Sequence, residues 1–503
     1  MNNKKKDSKL HTGLLTAFYI IYSLILLSII VIALLEPQNN LTSGQLIIGV
    51  PIATAFFLIC VFIWNKVSNG IPEKAKRLLV PLLLALFGLV IFAVSFNRST
   101  FYNTFPDYSY LYNGALDMAD TGSVRNPKYF LNYTNNTGPM LFLSMIFRIS
   151  HRLGISEFYP TVVISIATVL LAIWAATDLL SYDTDGKWSA PAIIFTAIYL
   201  PLYVLTPAFY TDTMSFGLGV LALALCKRTV CLEKKKILYS FLAGLITAYA
   251  FMWKVTALIP LVAGFIVMLL KKDFKKAKGL ISYAVFTILF IAALNICLNQ
   301  DPLYRQSKET GNPVISWIAL GSSGNGGYYQ GMDFILEINE MDSKAEKTEA
   351  SLDYLKAHKS ELFSAEHFRD KIACNFATGT MNCSEFLWND SDGTLLWELM
   401  ASWGKYYWRT SQICFIYMFI CYMVIMLGIL FSLTDLIRGR YIPYAKLVSD
   451  ISLFGIILFL MIWEAKGRQM YNQFPMLIVN LFISADMIVS RLMRKKKAVS
   501  NDK

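Results

Sequence analysis

Apolar runs long enough to cross a lipid bilayer recur along the whole sequence. A helix needs about 20 apolar residues to span the hydrocarbon core, and hydrophobic residues make up 55% of the 503-residue chain. Only 16% of the residues are charged, whereas soluble domains carry roughly a quarter. The sequence therefore predicts an all-α polytopic membrane protein. The runs, about twelve in number, are roughly 13–35, 45–64, 78–95, 157–181, 189–207, 213–227, 237–253, 255–270, 279–298, 412–433, 447–463 and 474–491.

The formal net charge of +12 is concentrated between these runs. Lys and Arg accumulate in the cytoplasmic loops of membrane proteins, so the surplus indicates orientation and not nucleic-acid binding. One arrangement places every strong basic cluster on the cytoplasmic side, with both termini there as well. We therefore predict a multi-pass cell-membrane protein. The clusters are Asn3–His11, Asn65–Arg77, Cys226–Lys236, Lys271–Lys278, Asp435–Lys446 and Arg491–Lys503.

This arrangement requires that one further apolar run, Gly138 to Gly154, does not cross the membrane. The run is short and carries Arg148, His151 and Arg152. If it crossed, all later basic clusters would face outward, against the usual distribution of positive charge. We interpret it as a helix that lies along the outer interface with one apolar face in the lipid.

Two long segments then lie outside the cytoplasm, and loops of such length are usually functional or separately folded. The second contains a stretch rich in strong helix formers, which predicts a helical hairpin and a mostly helical outer cap. The predicted organisation is two additional N-terminal spans (1–77), a membrane core (78–298) with outer loop 97–156, an outer cap (299–411), and C-terminal spans with a basic tail (412–503).

Acids and bases converge on the outer ends of the predicted spans. Asp107 follows the third span and has tyrosines on both sides, while Asp212 precedes the sixth span. Lys254 lies at a tight turn, and Glu464 and Arg468 follow the eleventh span. Such a group can bind a phosphate through its cations while a carboxylate handles a proton.

Each of these residues also has an ordinary structural interpretation. Asp212 can cap a helix, Lys254 can extend from a span end toward water, and Glu464 can form an ion pair with Arg468. Tyr471 fits a belt of interfacial aromatic residues. The adjacent Asn135 and Asn136 fit a turn that starts the interfacial helix, and a site role is the alternative for all three.

Several short motifs, in this order, resemble the GT-C superfamily of membrane glycosyltransferases. They are "FPDYSYLYNGALDMADTG", "NPKYFLNYTNNTGPMLFL", "PAFYTDTMSFGLGVLALAL" and "WEAKGRQMYNQFPMLIVNLF", and "NPVISWIALGSSGNGGYYQGMDF" is similar to members from Gram-positive bacteria. The resemblance runs from about Leu78 to Ser490 and is to the protein-mannosyltransferase-like branch, which uses polyprenyl-phosphate sugars. It implies a GT-C-like fold with helices along the membrane in the first outer loop.

The resemblance also implies roles for the outer residues. Asp107 would be the catalytic acid-base group, Asp212 a second polar group of the site, and Arg468 the residue that holds the leaving phosphate. The donor would be a polyprenyl-phosphate-linked sugar from the bilayer, and the acceptor an extracytoplasmic glycan, lipid or protein. Protein O-mannosyltransferases carry two adjacent acids in this loop, whereas Tyr108 follows Asp107 here. A single-step transfer would invert the sugar.

The residues leave some alternatives open. About twelve spans also suit a transporter or flippase, although carriers usually contain internal repeats and broken spans at mid-membrane. A polymerase or ligase of cell-envelope polysaccharide would use similar donors. Asp107 and Asp212 are also the two carboxylates that could share a divalent cation, and Cys374 and Cys383 could form a disulfide in the outer loop.

Overall fold

The structure of the protein is a computed structural model that describes residues 9–37, 42–96, 106–271, 280–387 and 394–501. Most of the predicted basic cluster Lys271–Lys278 and the start of the first outer loop, residues 97–105, lie outside these ranges. The described residues contain α-helices and short 3₁₀ helices but no β-strand. The all-α class predicted from the sequence is therefore confirmed.

The α-helices of the first half, in chain order, are α1 (Lys9–Leu35), α2 (Ser43–Ser68), α3 (Glu73–Phe96), α4 (Pro106–Thr121), α5 (Lys128–Asn132), α6 (Thr134–Arg152), α7 (Phe158–Thr184), α8 (Ser189–Ala197), α9 (Pro201–Leu205), α10 (Thr211–Met214), α11 (Leu218–Cys231), α12 (Lys236–Trp253), α13 (Ile259–Leu270) and α14 (Ile281–Leu298). The second half contains α15 (Pro302–Thr310), α16 (Val314–Gly321), α17 (Met332–Asn339), α18 (Lys344–Ala357), α19 (Lys359–Leu362), α20 (Ala365–Phe376), α21 (Leu395–Met400), α22 (Tyr407–Ile437), α23 (Tyr444–Ile462) and α24 (Phe474–Asn501). The 3₁₀ helices are Glu233–Lys235, Val255–Leu258, Tyr328–Gln330, Cys383–Leu387 and Gly467–Gln473.

Ten of the helical stretches in the described residues are long and apolar enough to cross a membrane. They expose large apolar side chains, such as Ile48, Leu82 and Ile288, that would contact lipid. Because a helix satisfies its own backbone hydrogen bonds, such stretches are stable in a medium without water. The prediction of a multi-pass membrane protein is confirmed.

Two of the predicted spans are not among the ten long stretches of the described residues. The run 189–207 is divided into α8 and α9, and α9 begins at Pro201, whose missing N–H and fixed φ suit the first position of a helix. The run 255–270 is a 3₁₀ turn followed by α13, with Pro260 in its first turn. It provides only 16 residues of helix, fewer than the roughly 20 that cross the hydrocarbon core. The predicted number of about twelve spans is therefore too high if only full-length helices are counted.

The centre of the bundle is formed by α24, which packs against α22, α23 and α7. Inside it lies a fully buried ion pair in which the Lys446 ammonium is 2.6 Å from the Asp450 carboxylate. Asn480 of α24 accepts from Lys446 at 2.9 Å and donates to Asp450 at 2.7 Å. Tyr19 of α1 donates its hydroxyl to Asp450 at 2.9 Å, so the first span is joined to the central helices.

The two outer segments consist of shorter helices. In the first, α4 packs against α6, and α6 is not among the ten long apolar helices of the described residues. In the second, α18 packs chiefly against α16, whereas α20 packs against α1 and α23. The predicted helices are therefore present, but the pairing predicted for a hairpin is wrong. Cys374 and Cys383 are free thiols, so the disulfide is absent from the described residues.

Candidate active site

Arg468 lies at the centre of a cluster of charged side chains at one end of the bundle. Its guanidinium contacts three carboxylates through different nitrogen atoms: Nη1 is 3.0 Å from Glu385, Nε is 3.1 Å from Asp212, and Nη2 is 3.7 Å from Asp107. Only 6% of Arg468 is exposed. The planar, multidentate guanidinium suits such a position better than an ammonium group would.

The acids of the cluster come from distant parts of the chain. Asp107 lies in the first turn of α4, and Asp212 lies in the first turn of α10. Carboxylates are favoured in the first turn of a helix because unpaired N–H groups point toward them. The N-cap of α10 is Tyr210, so Asp212 does not cap the helix as its structural interpretation predicted, although it lies in the first turn and belongs to the cluster.

Two lysines complete the cluster, and each lies where a helix gives way to a 3₁₀ turn. Lys254 ends α12 with an extended backbone (φ −163°), and its ammonium donates to Asp212. Lys466 precedes the 3₁₀ helix Gly467–Gln473 with a similar backbone (φ −156°) and lies 3.2 Å from Glu385. Three cations thus face the three carboxylates that contact Arg468.

The three carboxylates differ in their access to solvent. The side chain of Asp107 is 36% exposed, whereas those of Asp212 and Glu385 are only 3% and 12% exposed. Asp107 also has the longest separation from Arg468. A molecule that enters the cluster from outside therefore reaches the Asp107 carboxylate before the other two.

A chain of hydrogen bonds leads to Asp107 from the first outer loop. Asn135 donates to Asn136 at 3.0 Å, Asn136 donates to the Tyr129 hydroxyl at 2.6 Å, and Tyr129 donates to Asp107 at 3.2 Å. Tyr210 donates to the other carboxylate oxygen of Asp107 at 3.1 Å. The two asparagines are thus connected to Asp107 by hydrogen bonds through Tyr129. They also lie in the first turn of α6, as their structural interpretation predicted.

Both tyrosines that hold Asp107 are buried. Burial, with the negative charge of Asp107 as a further cause, raises the pKa of Tyr129 and Tyr210 well above the ordinary value. The two phenols therefore stay protonated at neutral pH. Both phenols thus donate hydrogen bonds to Asp107, and the Asp107 carboxylate is the acceptor.

Stacked aromatic rings extend outward from Asp107. Tyr110 stacks on Tyr129 with ring centroids 4.4 Å apart, and Tyr133 is tilted against Tyr129 at 4.8 Å. Trp317 continues the series at 5.9 Å from Tyr133. Because Tyr110 is 42% exposed, the rings present an accessible apolar wall beside the carboxylate.

Glu464 is half-buried and forms no ion pair through its carboxylate within the described ranges. Burial raises the pKa of Glu464, and the positive charges of Lys466 and Arg468 oppose that shift without cancelling it. The structural interpretation of the sequence pairs Glu464 with Arg468. In the structure Arg468 instead pairs with Glu385.

Tyr471 is fully buried, so it does not face lipid as an interfacial belt residue would. Its ring packs against Phe216 at 4.6 Å, and its hydroxyl is 3.1 Å from the Thr206 hydroxyl. Tyr471 belongs to the same 3₁₀ helix, Gly467–Gln473, that carries Arg468. Its contacts anchor that helix, and among the described residues none of them is with a carboxylate of the cluster.

Glu385 is the site residue that the sequence analysis missed. It lies in the 3₁₀ helix Cys383–Leu387, directly after Met381 and Asn382, which both have φ of +52°. Left-handed backbone is costly for residues with a side chain and is often found at functional sites. A Cβ on Gly467 would lie 2.6 Å from the Asn382 amide oxygen, so this turn fits closely against the segment that carries Arg468.

No group of three or more His, Cys, Asp or Glu side chains that could hold a metal ion occurs in the part of the chain that the structure describes. The Arg468 guanidinium contacts both Asp107 and Asp212. A divalent ion shared by these carboxylates would have to compete with it. The shared cation stays a prediction.

Comparison with known proteins identifies a family and a similar solved structure. A family model described as "conserved hypothetical integral membrane protein" matches residues 8–489, while the comparison with curated proteins finds no match. The oligosaccharyltransferase AglB from Archaeoglobus fulgidus, in complex with an inhibitory peptide and a dolichol-phosphate, matches with a TM-score of 0.43 and 14% identity over 85% of this chain. The chain spans about half of that protein, 52% of its length. Because the family model matches nearly the whole sequence, the chain belongs to this family of conserved hypothetical integral membrane proteins.

Proposed function

We propose that this protein is a membrane glycosyltransferase of GT-C type that transfers a sugar from a polyprenyl-phosphate donor to an extracytoplasmic acceptor. The observation that carries the proposal is the position of Asp107. It is the accessible member of the carboxylates around Arg468, and two phenols hold it in place. An oriented carboxylate at the edge of a cationic cluster is what base-assisted transfer from a phosphate ester requires.

In this proposal Asp107 is the general base. An acceptor hydroxyl is a poor nucleophile at neutral pH, and a carboxylate within hydrogen-bond reach can take its proton as the new bond forms. The hydroxyl oxygen bonds to the anomeric carbon, and the proton passes to Asp107. The tyrosine donors keep the carboxylate oriented for that transfer.

The leaving group is the polyprenyl phosphate. When the bond between the anomeric carbon and the phosphate oxygen breaks, its electron pair stays on that oxygen and negative charge develops there. Lys254, Lys466 and Arg468 supply positive charge at this end of the bundle. Fixed cations are most effective where charge develops in the transition state, and the phosphate would compete with the carboxylates that they now bind.

The lipid-linked donor also determines where the reaction would take place. The donor's lipid chain stays in the bilayer, so the sugar must react near a lipid–water boundary, and the position of the cluster at the ends of apolar helices supports this. The aromatic wall of Tyr110, Tyr129 and Tyr133 is suited to stacking against a sugar ring. We infer an outward-facing site, a hexose donor and inversion in a single step. A cell-surface glycan, a lipid or a protein would be the acceptor.

The test is transfer by purified full-length protein from a polyprenyl-phosphate sugar, with the variant Asp107→Asn. We expect the rate to fall roughly a hundredfold or more, the usual effect of removing a general base. Asp120→Asn is the matched control, because Asp120 lies on the same helix but is 50% exposed and pairs with His151. A rate near that of the wild type for Asp107→Asn would overturn the assignment.

Release of the carrier distinguishes transfer from transport. A transferase liberates free polyprenyl phosphate only when acceptor is added, in an amount equal to the sugar transferred. A flippase would move the intact donor across the bilayer and release none. Movement of intact donor without release would favour that alternative.

A further inference from the structure

A cavity of about 230 Å³ lies at the end of the bundle opposite the Arg468 cluster. Its walls come from α11 and α13, from the last turn of α7 and from the start of α23. The basic clusters predict that this end faces the cytoplasm. Nothing in the proposed transfer reaction uses this cavity.

The mouth of the cavity is cationic and aromatic. The Lys227 ammonium lies 3.8 Å from the centre of the Tyr182 ring. Lys271 donates to the Tyr441 hydroxyl at 2.6 Å and lies 5.6 Å from the centre of the Tyr444 ring. All five residues line the cavity, so two ammonium groups face one opening.

The interior of the cavity is apolar. Side chains of α11 and α13, among them Leu223, Leu261 and Val267, line it and are almost completely buried in the bundle. Their helices run from the cavity mouth into the membrane-crossing part of the bundle. The cavity therefore combines a charged rim at the membrane boundary with an apolar wall on the membrane side.

Two carboxylates lie near the rim. Arg228 binds Asp178 at 2.6 Å, and Asp183 accepts the Ala445 backbone N–H at 2.6 Å while it also attracts the two lysines. Lys227 forms no ion pair within 4 Å among the described residues, and its ammonium lies over an aromatic ring. With Arg228 and the two lysines of the rim set against two carboxylates, the rim keeps an excess of positive charge for an incoming anion.

We propose that this cavity binds a lipid whose headgroup carries a phosphate. The two ammonium groups would bind the phosphate oxygens, and the apolar wall would hold the adjoining part of the hydrocarbon chain. Anionic headgroups are attracted to basic residues at the cytoplasmic surface of membranes. The same chemistry is present in a bilayer phosphodiester lipid and in a polyprenyl phosphate, and the proposal is independent of the reaction at Asp107.

The experiment measures lipid binding to purified full-length protein by native mass spectrometry. The probes are phosphatidylglycerol, a polyprenyl phosphate and inorganic phosphate, with phosphatidylcholine as the zwitterionic reference. The test variant is the double substitution Lys227→Gln/Lys271→Gln. The matched control is Lys234→Gln/Lys235→Gln, which removes two exposed lysines at the same end but outside the cavity.

We expect the test variant to lose roughly tenfold or more of its affinity for a phosphate-headed lipid, because two charge-assisted contacts are removed. The control should bind as the wild type does, and Lys227→Arg/Lys271→Arg should restore binding if the charge is what matters. A loss confined to phosphatidylglycerol identifies a bilayer lipid, and a loss confined to the polyprenyl phosphate identifies the carrier. Equal binding by wild type and test variant, or binding of inorganic phosphate alone, would overturn the proposal.

Discussion

Tyr129 donates its hydroxyl to Asp107 at 3.2 Å while it accepts a hydrogen bond from Asn136 at 2.6 Å. The Tyr129 hydroxyl therefore has one orientation in which it makes both hydrogen bonds. That orientation directs its proton toward the carboxylate. Tyr129 is thus a positioning residue for Asp107 in the proposed reaction.

Tyr129→Phe should lower kcat of the proposed transfer roughly five- to tenfold, because one hydrogen bond contributes about 1 kcal/mol. The ring stack with Tyr110 would remain. Tyr110→Phe is the control, since it removes the hydroxyl of the stacked partner without touching Asp107. Single-turnover rates and KM separate an effect on the reaction from one on binding. Equal effects of the two substitutions would contradict the role of Tyr129.

Arg468→Lys should reduce activity roughly a hundredfold, although it conserves the charge. A lysine ammonium carries its three donors on one nitrogen, so it cannot reproduce the spread of contacts that the planar guanidinium makes with three carboxylates. The control is Arg125→Lys, because the Arg125 side chain is 82% exposed and pairs with Asp117, not in contact with the cluster among the described residues. The measurement is the transfer rate of folded protein recovered from size-exclusion chromatography. An active Arg468→Lys enzyme would show that the three contacts are not required.

Lys446→Met should destabilise the bundle by about 3–5 kcal/mol, because it leaves the buried Asp450 carboxylate without its counter-ion. The double substitution Lys446→Met/Asp450→Leu should recover most of that loss, since it removes both charges together. Thermal unfolding in detergent provides the measurement. If the single and double variants were equally unstable, the ion pair would not be the source of the effect.

The buried amine of Lys371 predicts a dependence of stability on pH. It donates to the carbonyl oxygens of Gly321 and Met461 at 2.8 and 3.0 Å, and burial lowers its pKa from 10.5 to about 7. Below about pH 7 both states hold the proton, whereas between about 7 and 10.5 only the unfolded chain does. Stability should therefore rise with pH through that window.

Lys371→Met should remove this contribution and flatten the dependence of the unfolding temperature on pH. Lys356→Met serves as the control, because the Lys356 side chain is 74% exposed. The unfolding temperatures of the three proteins are compared between about pH 6.5 and pH 9, where the contribution is at most about 1.4 kcal/mol per pH unit. An unchanged slope in Lys371→Met would assign the pH dependence to other groups.

The sequence predicted which parts of the chain meet, because membrane crossings restrict where each loop can lie. Counting spans placed Asp107, Asp212, Lys254 and Arg468 at one end, and the structure brings these four residues into one cluster. Periodicity and apolar length were sufficient for that result. They could not locate the break between α8 and α9, because it falls inside a continuous apolar run.

Glu385 could not be predicted in this way. It lies in a long outer segment whose path depends on tertiary packing, and its approach to Arg468 requires a left-handed turn at Met381 and Asn382. Asn tolerates left-handed backbone, but Met does not favour it, so the sequence contains no clear signal for two such residues in a row. For the same reason, the sequence paired Arg468 with the nearby Glu464, which is four residues away, and missed the acid that contacts it.

The hydrogen bond between Tyr19 and Asp450 joins residues 431 positions apart. During synthesis α1 enters the membrane long before α23 is made. The Tyr19 hydroxyl therefore lacks this partner in the bilayer until α23 has been inserted. Formation of the contact is consequently a late step relative to the insertion of α1, and a chain stopped before α23 would leave that helix without its Asp450 partner.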